Sequence, residues 1–141
     1  MGLGLVLAIV ALAAFLVPQS ESRPVEWHAV SVGPLTITYQ ERRLFRERRQ
    51  LRSFLELTSV KRVPKVDFST RQLLLLTTGP RSSSGYAVDV LGASEQDGKI
   101  TVKVRERAPV LRERVDPHVT YPYRLISLPA GHDVFVDWVG R

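Results

Sequence analysis

Hydrophobic and polar positions along this chain switch repeatedly between two periods. In LTITY, Leu35, Ile37 and Tyr39 alternate with threonines, the period-two pattern of a strand with one buried face. A short extended piece, VEWHAVSV, precedes it and is closed by a Gly33-Pro34 turn. From Glu41 to about Leu57 the period lengthens. Leu44, Leu51 and Leu55 fall on one side of a helical wheel and Arg42, Arg46 and Arg49 on the other, which predicts an amphipathic helix with a cationic outer face.

The next segment, SVKRVPKVDFS, reads as a linker, with Pro64 breaking regular structure and Asp67-Phe68-Ser69 turning into the following element. QLLLLTT, from Gln72 to Thr78, is an apolar run without alternation, as expected for a strand covered on both faces. Beyond Gly85 the alternation returns. Tyr86, Val88 and Val90 share one side, as do Ile100, Val102 and Val104, and the Asp97-Gly98 pair between them is a strong hairpin signal. Two more strands follow, Val119 to Leu128, where Pro122 implies an edge or a bulge, and Asp133 to Val139. The predicted fold is α+β, mostly antiparallel β with about five to six strands around one amphipathic helix, a sandwich being one arrangement of them. Three spans organise the chain. Residues 1–22 are a signal peptide or membrane anchor, residues 23–65 hold the N-terminal strand and helix, and residues 66–141 form a β-rich domain.

Composition changes the picture at the N-terminus first. Leu3 to Val17 is 15 uncharged residues, within the length of a signal-peptide core and short of the ~18–20 needed to span a bilayer. Ser20 and Ser22 place small residues at the −3 and −1 positions of a cleavage site, whereas no Lys or Arg precedes the apolar stretch, so a retained anchor is the alternative to cleavage. Either way the expected destination is outside the cytoplasm, periplasmic or extracellular. The 141-residue chain has no cysteine, so disulfides, thiolate chemistry and Cys-bound metals are excluded. It carries 20 Lys+Arg against 14 Asp+Glu, a net +6, with Arg outnumbering Lys by 16 to 4. The basic helix lacks aromatic stacking platforms and any nucleic-acid motif, so it reads as a solvated face, and nucleic acid is not an expected partner.

The chemical inventory is thin. His28, His118 and His132 offer no i, i+2 or i, i+4 pair, so no metal site is expected. Asp116-Pro117-His118 sets a carboxylate near an imidazole, but a rigid proline turn accounts for it equally well. Ser82, Ser83 and Ser84 lack the Gly-x-Ser-x-Gly elbow, and the same loop lacks the Gly-x-x-x-x-Gly-Lys-Ser/Thr phosphate cradle; both would need a helix where a strand pattern follows. Asp89 and Glu106 stand on strands predicted to pair and read as a solvated face rather than a glycosidase pair. The expectation is a non-enzyme without cofactor.

One ordered series remains. Val66-Asp67-Phe68-Ser69, Leu73 to Leu76, Gly79, Ser84-Gly85-Tyr86, Val88, Asp97-Gly98-Lys99, Val102 with Val104, Ala108-Pro109, Thr120-Tyr121-Pro122-Tyr123 and Leu128-Pro129 together resemble the protease complex subunit PrcB family, in particular its C-terminal domain, over roughly Val66 to Trp138. That resemblance implies an exported, non-catalytic accessory domain that associates with and stabilises another envelope or secreted protein such as a protease, with no cofactor. Between Pro109 and His118 the chain reads VLRERVD, where family members often carry a Gly- and Cys-containing loop. A second resemblance rests on Ser84-Gly85-Tyr86, similar to the Thr-Gly-Tyr loop of chagasin-type cysteine protease inhibitors, which have an immunoglobulin-like sandwich; Val88 stands where those have tryptophan. The expected contact loop is Arg81, Ser82, Ser83, Ser84, Gly85 and Tyr86, since Tyr and Arg are the types enriched in interfaces. Tyr86 has a competing reading as an inward residue beside Val88 and Val90, and Tyr121 and Tyr123 read as core.

Overall fold

A computed structural model describes residues 20–140; the apolar leader up to Gln19 lies outside the described residues. The elements are β1 (Arg23–Pro24), β2 (His28–Ala29), β3 (Gln40–Phe45), α1 (Arg48–Glu56), β4 (Arg71–Thr78), β5 (Ala87–Gln96), β6 (Lys99–Arg107), β7 (Tyr123–Pro129) and β8 (Asp133–Trp138). They form two four-stranded sheets, β1-β5-β6-β8 and β2-β7-β4-β3, stacked face to face.

The leucine run explains the layering. Strand β4 lies inside the second sheet between β3 and β7, and its side chains divide by parity. Leu73 and Leu75 join Phe45, Leu51, Phe54, Leu55 and Leu125 in a core beneath the helix. Leu74 and Leu76 join Val88, Ile100, Val102, Val104, Ile126 and Leu128 in a core between the sheets. A strand apolar on both faces needs cover on both, and α1 supplies one cover while the other sheet supplies the second.

Antiparallel pairing dominates, and the β5–β6 hairpin turns at Asp97-Gly98, both at positive φ (54° and 75°), as a two-residue primed turn requires. The last strand departs from this rule, because β8 pairs with β6 in parallel after the chain has crossed to the other sheet as β7. At the opposite edge, residues 23–29 pass from one sheet to the other, pairing as β1 with β5 and as β2 with β7, and Val25 and Trp27 pack into the inter-sheet core on the way. The segment 23–65 is thus woven into both sheets.

The N-terminal half corrects the sequence reading. The helix predicted from Glu41 begins only at Arg48, and Gln40–Phe45 is instead an edge strand paired over six positions with β4. Leu44 therefore faces the inter-sheet core rather than sharing a helical face with Leu51 and Leu55, and Arg42 sits on a strand, Arg46 in the connection and Arg49 on the helix. Tertiary pairing outweighs the helical period here because the edge of β4 would otherwise be bare. The helix starts where Gln50 Oε1 accepts the backbone N–H of Arg46 and Glu47, at 2.8 and 3.2 Å. The predicted strand LTITY is likewise not in a ladder. Leu35 and Ile37 are buried and the threonines exposed, as the alternation requires, but Tyr39, expected on the same face, is exposed, and the segment lies over the helix-side core without a strand partner among the described residues. Pro122 falls just before β7 rather than within it. Tyr123 packs at the margin of the helix-side core and donates its hydroxyl to Gly33 O, 2.5 Å; burial pushes its phenol pKa up.

Replacing Leu74, fully buried, with alanine should cost about 2–5 kcal/mol, because the inter-sheet layer cannot collapse around the missing atoms. Leu57→Ala, at an exposed position, should change stability by less than about 0.5 kcal/mol. Urea unfolding of the two variants measures both.

Candidate functional site

The sandwich has two poles. At one, β4 and β5 are joined by the Gly79–Tyr86 loop, and β6 and β7 by the longer segment 108–122; at the other lie the Asp97-Gly98 turn and the 130–132 turn. Strand β6, nine residues long, separates them by about 26 Å at the usual rise of ~3.3 Å per residue.

The first pole holds the predicted contact loop, and its side chains are turned largely toward the neighbouring segment. Arg81 exchanges backbone hydrogen bonds with Thr120 in both directions, at 2.8 and 2.9 Å. Its guanidinium forms a two-pronged pair with Glu106 of β6, Nε to Oε1 and Nη2 to Oε2, the latter at 3.0 Å. That hydrogen bond raises the Arg81 pKa above its already high ordinary value, so the guanidinium stays charged. The Ser84 N–H donates to Asp116 O at 3.0 Å, and the Asp116 N–H donates to Ser84 Oγ at 2.8 Å. Ser83 Oγ donates to Ser84 O, and the Thr120 hydroxyl donates to Ser83 O at 2.8 Å. Only Ser82 of the three serines is exposed. Gly85 has φ +93, and a Cβ there would stand 3.0 Å from both Pro109 Cγ and Val115 Cγ1, so only glycine permits the close approach of the two segments. Tyr86 is half-buried just ahead of β5, outside both core clusters, whereas Val88 is buried between the sheets.

The segment these contacts hold down carries features that periodicity did not single out. Val110 and Glu113 close a turn on each other, the Glu113 N–H donating to Val110 O at 3.0 Å and the Val110 N–H to Glu113 Oε2 at 2.9 Å. Glu113 also lies 3.7 Å from Arg107. Within the turn Arg112 adopts φ +73, a left-handed conformation uncommon for a residue with a Cβ, and beside it Leu111 is 92 % exposed and Val110 70 %. Further along, Val119 is also exposed. A run of short exposed apolar residues without alternation carries no periodic signal, which is why the sequence drew attention to 81–86 instead.

The catalytic alternatives acquire geometry here as well. Ser84 comes next to Asp116, two residues from His118, but Ser84 Oγ accepts a backbone N–H, and among the described residues the His118 ring makes no hydrogen bond to a serine. A general base has to reach the hydroxyl proton, and the His118 ring does not do so. The His118 N–H bonds to Asp116 O at 2.9 Å, the rigid proline turn expected. Asp89 pairs loosely with Arg105 and Arg107 at 3.9 and 3.8 Å, and Glu106 is engaged by Arg81. Among the described residues no three His, Cys, Asp or Glu side chains gather to hold a metal, and no helix is long and apolar enough to cross a membrane.

Residues 73–129 match the family model described as PrcB C-terminal. The match runs from β4 to β7 and so contains both loops of this pole. Neither a curated protein nor a solved structure matches the chain.

Loss of the brace should be measurable without a partner. Arg81→Met deprives the Glu106 carboxylate of its guanidinium and should cost about 1–3 kcal/mol. Gly85→Ala should cost a similar amount, about 1–3 kcal/mol, from the left-handed backbone and the crowding against Pro109 and Val115. Both variants should be cut by trypsin after Arg112 and Arg114 faster than the parent chain; unchanged cleavage would mean that the two loops do not depend on each other.

Proposed function

We propose that this chain, with its segment similar to PrcB C-terminal, is an exported, non-catalytic accessory subunit that binds and stabilises another envelope protein, a protease being the partner that the resemblance to the protease complex subunit family favours. The observation that carries the reading is the braced turn at Val110–Glu113. It holds a fully presented leucine, followed by Arg112 and Arg114, on a backbone fixed at both flanks, so little conformational entropy is lost when a partner binds. The contact surface joins this tip to the exposed part of the 81–86 loop, Ser82 with the accessible portion of Tyr86. In that arrangement Arg81, Ser83, Ser84 and Gly85 act as positioning residues. Leu111 suits an apolar pocket, and Arg112 and Arg114 favour an acidic rim around it.

The inhibitor reading needs the Ser84-Gly85-Tyr86 loop to project as a wedge. Its tie to Asp116 and Thr120 argues against projection. A papain-like protease should accordingly keep its full activity at stoichiometric chain; a stoichiometric loss would restore that reading in place of this one.

The direct test is co-purification from the native envelope. The tagged full chain should retain one specific envelope protein, Leu111→Asp should lose it while unfolding at the same urea concentration as the parent, and Leu57→Asp, equally exposed elsewhere, should keep it. Retention of the same protein by Leu111→Asp would remove the tip from the interface, and recovery of no protein by the parent chain would remove the proposal.

A further inference from the structure

Strand β3 ends its sheet, and its outer side is bare. In the order β2-β7-β4-β3 no strand follows it, and among the described residues no backbone outside β4 hydrogen-bonds to residues 40–45. An antiparallel strand turns alternate N–H and C=O groups away from its partner, so this edge offers a regular row of donors and acceptors. Its six ladder positions run in unbroken register, without the proline or bulge that commonly closes an edge. The opposite edge of the sandwich differs, since residues 23–29 stitch it by pairing with both β5 and β7.

Beside this edge the helix supplies a second wall. Gln50, Ser53, Phe54 and Leu57 stand at i, i+3, i+4 and i+7, one stripe of α1 and its C-cap, and with Arg43 and Phe45 of β3 they line a groove of about 340 Å³. The Phe45 and Phe54 rings, 5.4 Å apart, make its base apolar, and Leu57, 87 % exposed, stands uncovered at its rim. Arg43 is already engaged, its guanidinium 4.9 Å from the Phe54 ring and its Nε donating to Glu41 at 2.6 Å. Unspent charge lies around it. Arg42 and Arg49, the latter one helical turn before Ser53, have no ion pair among the described residues, and Arg46 has only Asp133, at 3.6 Å. Residues 40–57 carry six arginines against three glutamates, so the surroundings of the groove are cationic.

We propose that this groove binds an extended, acidic segment of a partner polypeptide, which adds to the sheet as a strand beside β3 and seats an apolar side chain between Phe45, Phe54 and Leu57. The bare row selects an extended peptide, because its own donors and acceptors repeat at the same spacing. Side chains of an added strand alternate, so one set enters the groove and the other stands beside Arg42. Apolar residues suit the first set and Asp or Glu the second. Two copies of β3 paired antiparallel would instead bring Arg42 and Arg43 against the same arginines of the other copy, which disfavours self-pairing. The inference rests on this edge and not on the Val110–Glu113 tip, so it adds a second, separate contact.

The test titrates the full chain against a fluorescein-labelled peptide of about seven residues, a strand's length, alternating glutamate with valine and leucine. Anisotropy should show saturable binding, and hydrogen exchange should show new protection of amides within 40–45. Of two peptides methylated on alternate backbone nitrogens, the one blocked on the edge that faces β3 should fail to bind and the other should bind as the parent peptide does. Ser53→Arg, which narrows the groove while adding a positive charge, and Leu57→Asp should each weaken binding on the order of tenfold. Arg42→Gln should weaken it on the order of threefold, and Leu111→Asp should leave it unchanged. All four positions are exposed, and urea unfolding checks that each variant keeps its fold. No saturable binding, equal binding of the two methylated peptides, or undiminished binding by Ser53→Arg would overturn strand addition in this groove. A chain that dimerises and is dissociated by the peptide would overturn the assignment to a partner, giving the edge to a second copy.

Discussion

Everything in this fold depends on a strand that has no wet face. Leu73 to Leu76 alternate between two cores, so β4 is stable only when a layer covers each side. The β5–β6–β8 sheet closes one side, and α1 with the Leu35–Ile37 segment closes the other. The chain must therefore return to this strand from both directions: β3 pairs along one edge and β7 along the other. Without cysteine there is no covalent alternative, so the two-sided burial of β4 is the main source of rigidity for what projects from its ends.

That rigidity matters most at the poles. The end where β4 leaves the sheet is tied by backbone exchange between Arg81 and Thr120, by the Arg81–Glu106 fork and by the reciprocal bonds of Ser84 with Asp116. A 108–122 segment without regular structure would otherwise be a floppy connection. Held this way, it presents Leu111 on a turn whose arginine is already in an unfavourable backbone conformation. Along the outer edge of β3 no such tie exists among the described residues, and the groove that α1 makes with it stays open.

Legibility differed between the halves for a physical reason. From Gln72 onward the elements are formed by local signals that agree with their environment: a short apolar run, an Asp-Gly turn and clean alternation, all recovered as β4, β5 and β6. Before Gln72 local and long-range preferences conflict. QERRLF has a helical spacing of leucines relative to Leu51 and Leu55, yet pairs as β3, because six ladder positions on β4 stabilise it more than the helical period does. The same holds for LTITY, where alternation reported the burial of Leu35 and Ile37 but not the exposure of Tyr39, and reported pairing incorrectly. Hydrophobic period tells which side chains go inside; it does not tell which backbone finds a partner.

What the sequence by itself determined is the inside of the molecule and its family likeness: the doubly buried strand, the hairpin at Asp97-Gly98, the helix face of Leu51 and Leu55, and the ordered series that the PrcB C-terminal match confirms over residues 73–129. Each is written in residues a few positions apart. Only the tertiary structure decided the parallel placement of β8 on β6 and the use of Arg81 and the serines as a brace for a segment some thirty residues away. Those contacts join side chains far apart in the chain, and no local pattern encodes a neighbour that folding alone brings near.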